Sequence, residues 1–349
     1  AILGATGGGK SWTTARIIEE CLRYKTKIIL LDATGEYRGF DGDHISNVHL
    51  GLPVNFAKAS KACSLPQTSF IESDFIALFE PAGKVQGPKL RAAMRSLRLA
   101  TIAPHLATNG IIKKIDQSKA SILAEEMKPT VSERIEDPQQ AFDVSKLVSQ
   151  IEQECVWPDG FGVAKGSKDI TKWGGDSGEV SYCLSLISRI NGVLTSPAFE
   201  CVFKSNSPPL SDVISSFIAN NDRLLRVCLS GVSFEFKARE IVANVIGRHL
   251  LNLARGNRFK DQPLVVIVDE AHNFLGRQIG VDDGVSRLDA FELIAKEGRK
   301  YGLNICLSTQ RPRDITEGVL SQMGALVVHR LTNDRDRDVV ERACGEIDR

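Results

Sequence analysis

The stretch Gly4-Ala5-Thr6-Gly7-Gly8-Gly9-Lys10-Ser11 constrains this 349-residue chain more than any other. It satisfies the pattern G-x-x-x-x-G-K-[ST] and follows the apolar run Ala1-Ile2-Leu3, which reads as the end of a strand. Trp12 to Leu22 then reads as a helix, with Ile17, Ile18, Cys21 and Leu22 on one face. The context is strand, loop, helix, and each part has a physical task. Glycines let backbone N–H groups close around phosphate oxygens, and the helix N-terminus adds the positive end of its dipole. Lys10 is expected to reach the β- and γ-phosphates, and the Ser11 hydroxyl to ligate Mg²⁺. With Gly4, Thr6, Gly7, Gly8 and Gly9 completing the cradle, the expected cofactors are ATP and Mg²⁺.

A hydrophobic content of 42% gives enough apolar surface for one large or two ordinary domains. The net charge of +1 gives no global sign of nucleic-acid affinity, so contact with DNA would have to come from local clusters or from a pore concentrated by oligomerisation. The eight cysteines are scattered, without a C-x-x-C pair, which is the usage of a reducing compartment. No apolar stretch approaches the roughly 18 residues that span a bilayer, and no signal peptide is present, so a cytoplasmic protein without a membrane partner is expected. The chain begins inside a strand and without Met, as expected of a fragment whose N-terminal domain lies outside it.

Lys27 to Asp32 (KIILLD) reads as a second buried strand, apolar up to its terminal carboxylate, as in a parallel sheet covered on both faces. The turn Asp32-Ala33-Thr34-Gly35-Glu36-Tyr37 follows it. Ligands in open α/β sheets sit at the carboxyl ends of strands, so this turn either lies near the nucleotide or an adjoining subunit or is an ordinary strand-to-loop connection. From about residue 65 to 220 the pattern changes to amphipathic helices, read over Lys89 to Ala100 and Ala141 to Val156. Between them Lys128 to Gln140 is polar, and Trp157 to Gly178 reads as a mobile surface loop. Arg91, Arg95 and Arg98, with Lys165, Lys168 and Lys172, would either touch phosphates or form solvated faces. Strands resume at Arg223 to Leu229, Leu264 to Asp269, Leu303 to Ser308 and Ala325 to His329, alternating with helices. The expected fold class is α/β: a P-loop protein with a doubly wound, mostly parallel sheet and a helical insertion. Its expected divisions are 1–64 and 221–349 for the two halves of the core and 65–220 for the insertion.

Leu264 to Glu270 reads as a Walker B strand in which Asp269 holds the Mg²⁺ and Glu270 polarises an attacking water. A second carboxylate directly after the first suits hydrolysis, whereas a kinase would direct the phosphoryl group to a bound acceptor. If Leu303 to Ser308 lies beside the P-loop strand, Gln310 sits by the γ-phosphate and can position water. Arg299, on the helix end before that strand, is either a partner of the helix dipole or an arginine finger for a neighbouring subunit.

Taken together, GATGGGKS, DATGEY, VVIVDEAHNF, EGRKYGLNICLSTQRP and Leu331-Thr332-Asn333-Asp334 resemble the HerA family of hexameric ATPases, within the larger HerA/FtsK translocase group. The resemblance covers both halves of the sheet, about 200 residues, in the right order. It implies a RecA-like P-loop ATPase core, a homo-hexameric ring with ATP at subunit interfaces, double-stranded DNA in a central channel and an N-terminal β-barrel domain outside this chain. It also implies a partner, either a nuclease or a sirtuin-like NADase effector, in DNA end processing or antiviral defence. By the same resemblance the Walker roles fall to Lys10, Ser11, Asp269 and Glu270, the sensor role to Gln310 and the trans-acting role to Arg299. Ala33-Thr34 departs from the family's Pro-His/Lys-Gly-Glu pattern. Two function classes stay open: a DNA-translocating motor, and an ATP-dependent assembly platform that holds an effector without productive DNA motion.

Overall fold

A computed structural model of the chain describes residues 1–52, 57, 59–164, 167–275 and 288–344. Its strands, in chain order, are β1 (Ile2–Leu3), β2 (Lys27–Asp32), β3 (Ile45–Gly51), β4 (Lys61–Ala62), β5 (Val156–Trp157), β6 (Phe161–Ala164), β7 (Ser167–Lys168), β8 (Gly174–Gly175), β9 (Leu224–Gly231), β10 (Leu264–Val268), β11 (Leu303–Thr309) and β12 (Val327–Val328). Eight of them form one sheet in the order β12-β1-β11-β10-β2-β9-β3-β4, and every neighbouring pair is parallel. The doubly wound α/β P-loop fold follows from the apolar runs. Every residue of β2 is buried, which only a sheet covered on both faces allows. Ile28 and Leu30 pack against Ile18 of helix α1 (Lys10–Arg23), and the alternating Ile29 and Leu31, also fully buried, point to the other face.

Two features of the sheet differ from the sequence reading. Strand β3 carries Ser46, Asn47 and His49 and so shows no apolar run, yet it pairs with β9 along most of its length. Strand β12 is two residues long where five were expected, and it pairs with β1.

The buried charge pair beside these strands explains why a polar strand holds its place. Arg226 of β9 and Asp32 of β2 are both fully buried, with Arg226 Nε donating to Asp32 Oδ2 at 2.7 Å. Asp32 also accepts from the backbone N–H groups of Gly35 (2.8 Å) and Tyr37 (3.2 Å), and Arg226 reaches Asn47 of β3 at 3.4 Å. Removing one member leaves the other charge stranded in the sheet. Asp32→Ala is therefore expected to lower stability by about 3–5 kcal/mol, while the double change Asp32→Ala/Arg226→Met recovers most of the loss. Thermal unfolding of the single and double variants checks this; equal losses in both would show that the pair carries no special cost.

The described residues group into two compact units. One comprises Ala1–Pro66 with the described residues from Pro197 onward; the other is Gln67–Ser196. Residues 197–219, read in the sequence as part of the insertion, thus belong with the sheet. The reason is visible at Lys27. Its buried ammonium donates to the carbonyls of Phe217 (2.5 Å), Asn220 (2.8 Å) and Asp222 (2.8 Å), which ties the helix Leu210–Ala219 to the start of β2.

The second unit is helical around Gly83–Ile102, which starts six residues before the expected Lys89 and runs through Pro88 in its second turn. Of the arginines of this helix Arg91 is exposed, as a solvated face requires, while Arg98 is buried. Arg95 pairs with Glu126 (2.5 Å) and Glu136 (2.6 Å), buried Arg98 with Glu72 (3.0 Å), and Arg91 lies 3.7 Å from Glu72. They fasten helices to one another. Lys168 pairs with Asp159 at 2.5 Å, and Lys165 lies outside the described residues. Pro129 opens an unexpected helix, Pro129–Glu136, at the position where its missing N–H costs nothing. The helix expected over Ala141 to Val156 is confined to Leu147–Glu154, after a tight turn at Val144–Lys146 that Asp143 caps. Antiparallel pairs β5–β8 and β6–β7 occupy the stretch read as a loop. Among the described residues no helix is long and apolar enough to cross a membrane.

Candidate active site

Strand β1 lies between β11 and β12, with Leu3 beside Thr309 on one side and Val328 on the other. The glycine loop that follows is fastened to both neighbours, Gly4 N–H donating to Thr309 O (3.3 Å) and Ala5 N–H to Arg330 O (2.9 Å). Gly9, with φ of 94°, caps α1 in the left-handed region and uses no side chain to satisfy the first helical N–H groups. Those donors are left for an anion. Gly4 is required for a different reason: a Cβ there would come within 2.6 Å of the Cβ of His329. His329 lies along the loop, and its Nε2 is 2.9 Å from Thr13 Oγ1. Lys10 is 6% exposed and donates to Ala5 O at 3.3 Å.

Strand β10 ends at Val268 between β2 and β11, so Asp269 and Glu270 leave the sheet at the same edge as the loop. Tyr37 OH donates to Asp269 Oδ1 at 3.3 Å; Oδ2 is buried and has no hydrogen-bond partner among the described residues. Burial, then the charges of Glu270 and Asp32, push the Asp269 carboxyl up to about 7. A buried orphan carboxylate oxygen at the edge that also carries a serine hydroxyl fits a hard divalent cation, which takes oxygen ligands. Asp269 and Ser11 are the residues that would hold it.

Glu270 adopts the left-handed conformation with φ of 47°, rare for a side chain of its size and a form of strain that clusters at functional sites. Burial raises its proton affinity, while the Lys10 charge and a hydrogen bond with Gln310 work against that rise. Its Oε2 is 3.2 Å from His272 Nδ1, and that nitrogen is 3.2 Å from Thr309 Oγ1. Burial, then the Arg311 charge, lower the His272 pKa, which keeps the ring neutral. Gln310 in turn accepts from the Thr6 hydroxyl of the glycine loop. One network therefore joins loop, Walker B carboxylate and the end of β11.

The structure thus gathers Gly4, Thr6, Gly7, Gly8, Gly9, Lys10, Ser11, Asp269, Glu270 and Gln310 at one edge of the sheet. It does not bring Arg299 there. Arg299 is exposed in the turn Gly298–Tyr301 before β11, whereas Gln310 follows the far end of that strand. Seven strand residues between them amount to about 20 Å. Sequence reasoning missed His272, His329, Tyr37 and Glu36. Ser11 Oγ donates to Glu36 Oε2 at 2.7 Å, so the turn after β2 is part of the site despite its unusual Ala33-Thr34. An open cleft of about 390 Å³ runs along this turn, lined by Ser11, Trp12, Arg16, Glu36, Tyr37 and Phe40.

A parallel sheet that carries a Walker A loop and Walker B carboxylates at one edge defines a P-loop ATPase. Residues 1–154 match the family model of the helicase HerA central domain. The DNA double-strand break repair helicase HerA of Pyrococcus furiosus is 38% identical over 85 residues, which are 24% of this chain and 15% of that protein. A probable DNA double-strand break repair helicase HerA of Methanocaldococcus jannaschii is 29% identical over 132 residues, 38% of this chain and 25% of that protein. These matches span no more than a quarter of either relative's length. Among solved structures, the bacterial conjugative coupling protein TrwB in complex with sulphate covers 94% of this chain and 69% of its own at 15% identity and a TM-score of 0.49. The chain is a P-loop ATPase whose residues 1–154 are similar to the HerA central domain.

Proposed function

We propose that this chain is the motor core of a homo-hexameric ATPase that acts on double-stranded DNA together with an effector, a nuclease or a sirtuin-like NADase, in DNA end processing or antiviral defence. ATP would lie on the glycine loop, with Lys10 against its β- and γ-phosphates. Mg²⁺, when bound through Ser11 and Asp269, would neutralise phosphate charge. Glu270 would take a proton from the attacking water, and Gln310, tied to Thr6, would orient that water.

The observation that carries the oligomeric part is the location of Arg299, exposed about 20 Å along β11 from Gln310. The chain's own site has no arginine from that segment, and a ring would supply one. DNA is supported by the DNA-repair role of the HerA relatives, and a cytoplasmic location by the cysteine usage. The assembly-platform reading gains from one finding: the arginines of the helix Gly83–Ile102 are taken up in ion pairs within their own unit.

Native mass measured with and without ATP and duplex DNA, combined with ATP hydrolysis measured with and without duplex, tests the proposal. A six-fold mass and DNA-stimulated hydrolysis are expected. DNA affinity should fall steeply with salt and show little sequence preference, because backbone contacts release counterions and do not read bases. Hydrolysis indifferent to DNA in an intact ring would favour the platform.

A further inference from the structure

The Ser11 hydroxyl has one hydrogen and two lone pairs. To ligate a cation it must turn a lone pair toward the metal, and its hydrogen then needs an acceptor on the other side. A hydroxyl polarised by a divalent cation is a stronger donor, so the identity of that acceptor matters. Here the acceptor is Glu36, at 2.7 Å. Asp269 serves other partners: its Oδ1 accepts from Tyr37, and its buried Oδ2 is the orphan oxygen.

The backbone around Glu36 is fixed from both sides. Gly35 N–H and Tyr37 N–H both donate to Asp32, and Asp32 is clamped by Arg226. Gly35 itself is left-handed, with φ of 83°. An exposed glutamate held between two anchored residues keeps its carboxylate at Ser11 with little rotational loss.

We propose that Glu36 is a positioning residue for the metal: it accepts the Ser11 hydrogen and thereby turns the hydroxyl lone pair toward Mg²⁺. The role rests on the Mg²⁺–nucleotide reading of the site and acts through Ser11 alone.

The test titrates Mg²⁺ into the full chain with a fluorescent N-methylanthraniloyl-ADP probe, against a baseline in EDTA. Glu36→Ala should raise the Mg²⁺ half-saturation about tenfold or more, the scale of losing a hydrogen bond to a charged group, and leave metal-free probe affinity within about twofold. Glu36→Gln, whose amide oxygen still accepts, should recover most of the metal affinity. Added to Ser11→Ala, Glu36→Ala should have no further effect. An unchanged Mg²⁺ dependence in Glu36→Ala, an equal effect in the Ser11→Ala background, or a Gln variant as impaired as Ala would each overturn the proposal. A wild-type chain that binds no probe, or binds it without regard to Mg²⁺, would overturn the nucleotide reading itself.

Discussion

Glu270→Gln is expected to bind ATP as tightly as the unaltered chain and to lose about 10²–10⁴-fold in turnover, the usual contribution of a positioned general base. The amide has the size of the carboxylate and can still meet Gln310, so the network from Thr6 to Thr309 keeps its shape. What it loses is the capacity to take a proton. Burial raises the proton affinity of Glu270, which suits a base, and His272 is held neutral beside it and so does not cancel its charge. Lys10→Ala should do the reverse, weakening triphosphate binding, because its ammonium is the loop's own counter-charge to phosphate. Equilibrium binding of ATP together with single-turnover hydrolysis separates the two variants. Hydrolysis near the wild-type rate in Glu270→Gln would remove Glu270 from the base role.

How much of this could be read from the chain depends on whether a residue's task is local. Strands β2, β10 and β11 were legible because burial on both faces demands a continuous apolar run, and the glycine loop because its spacing is itself the structure. Strand β3 was not, since its stability comes from pairing with β9 and from Asn47 meeting Arg226, neither of which leaves a periodic mark. Arg226 interrupts an apolar strand for the same reason. Its meaning depends on Asp32, 194 residues away in sequence. Arg91, Arg95 and Arg98 looked like a basic face because their carboxylate partners lie up to 41 residues distant. Glu36 shows the intermediate case: its turn could be assigned to the ligand-binding edge, but the contact that gives it a role is with Ser11, 25 residues earlier.

Arg299→Ala is expected to keep ATP binding and ring formation and to lose most hydrolysis, by about 10³–10⁵-fold if it acts as an arginine finger. The argument starts from geometry. Arg299 lies before the first residue of β11 and Gln310 after its last, so a single chain holds them about 20 Å apart, too far for one side chain to span. The cations and carboxylates around it make the alternative concrete. Arg255 pairs with Glu297, Lys300 lies 3.3 Å from Glu297, and Arg299 is exposed beside them in the same turn. A guanidinium on that rim would meet a γ-phosphate only across an interface. Mixing decides the matter. Arg299→Ala and Glu270→Gln subunits are each expected to be inactive alone, yet a mixed ring contains interfaces where an intact Glu270 faces an intact Arg299. Recovered hydrolysis on mixing supports action in trans. A mixture that stays inactive, although mixed rings are seen by native mass, would deny Arg299 the role of a finger acting at independent interfaces.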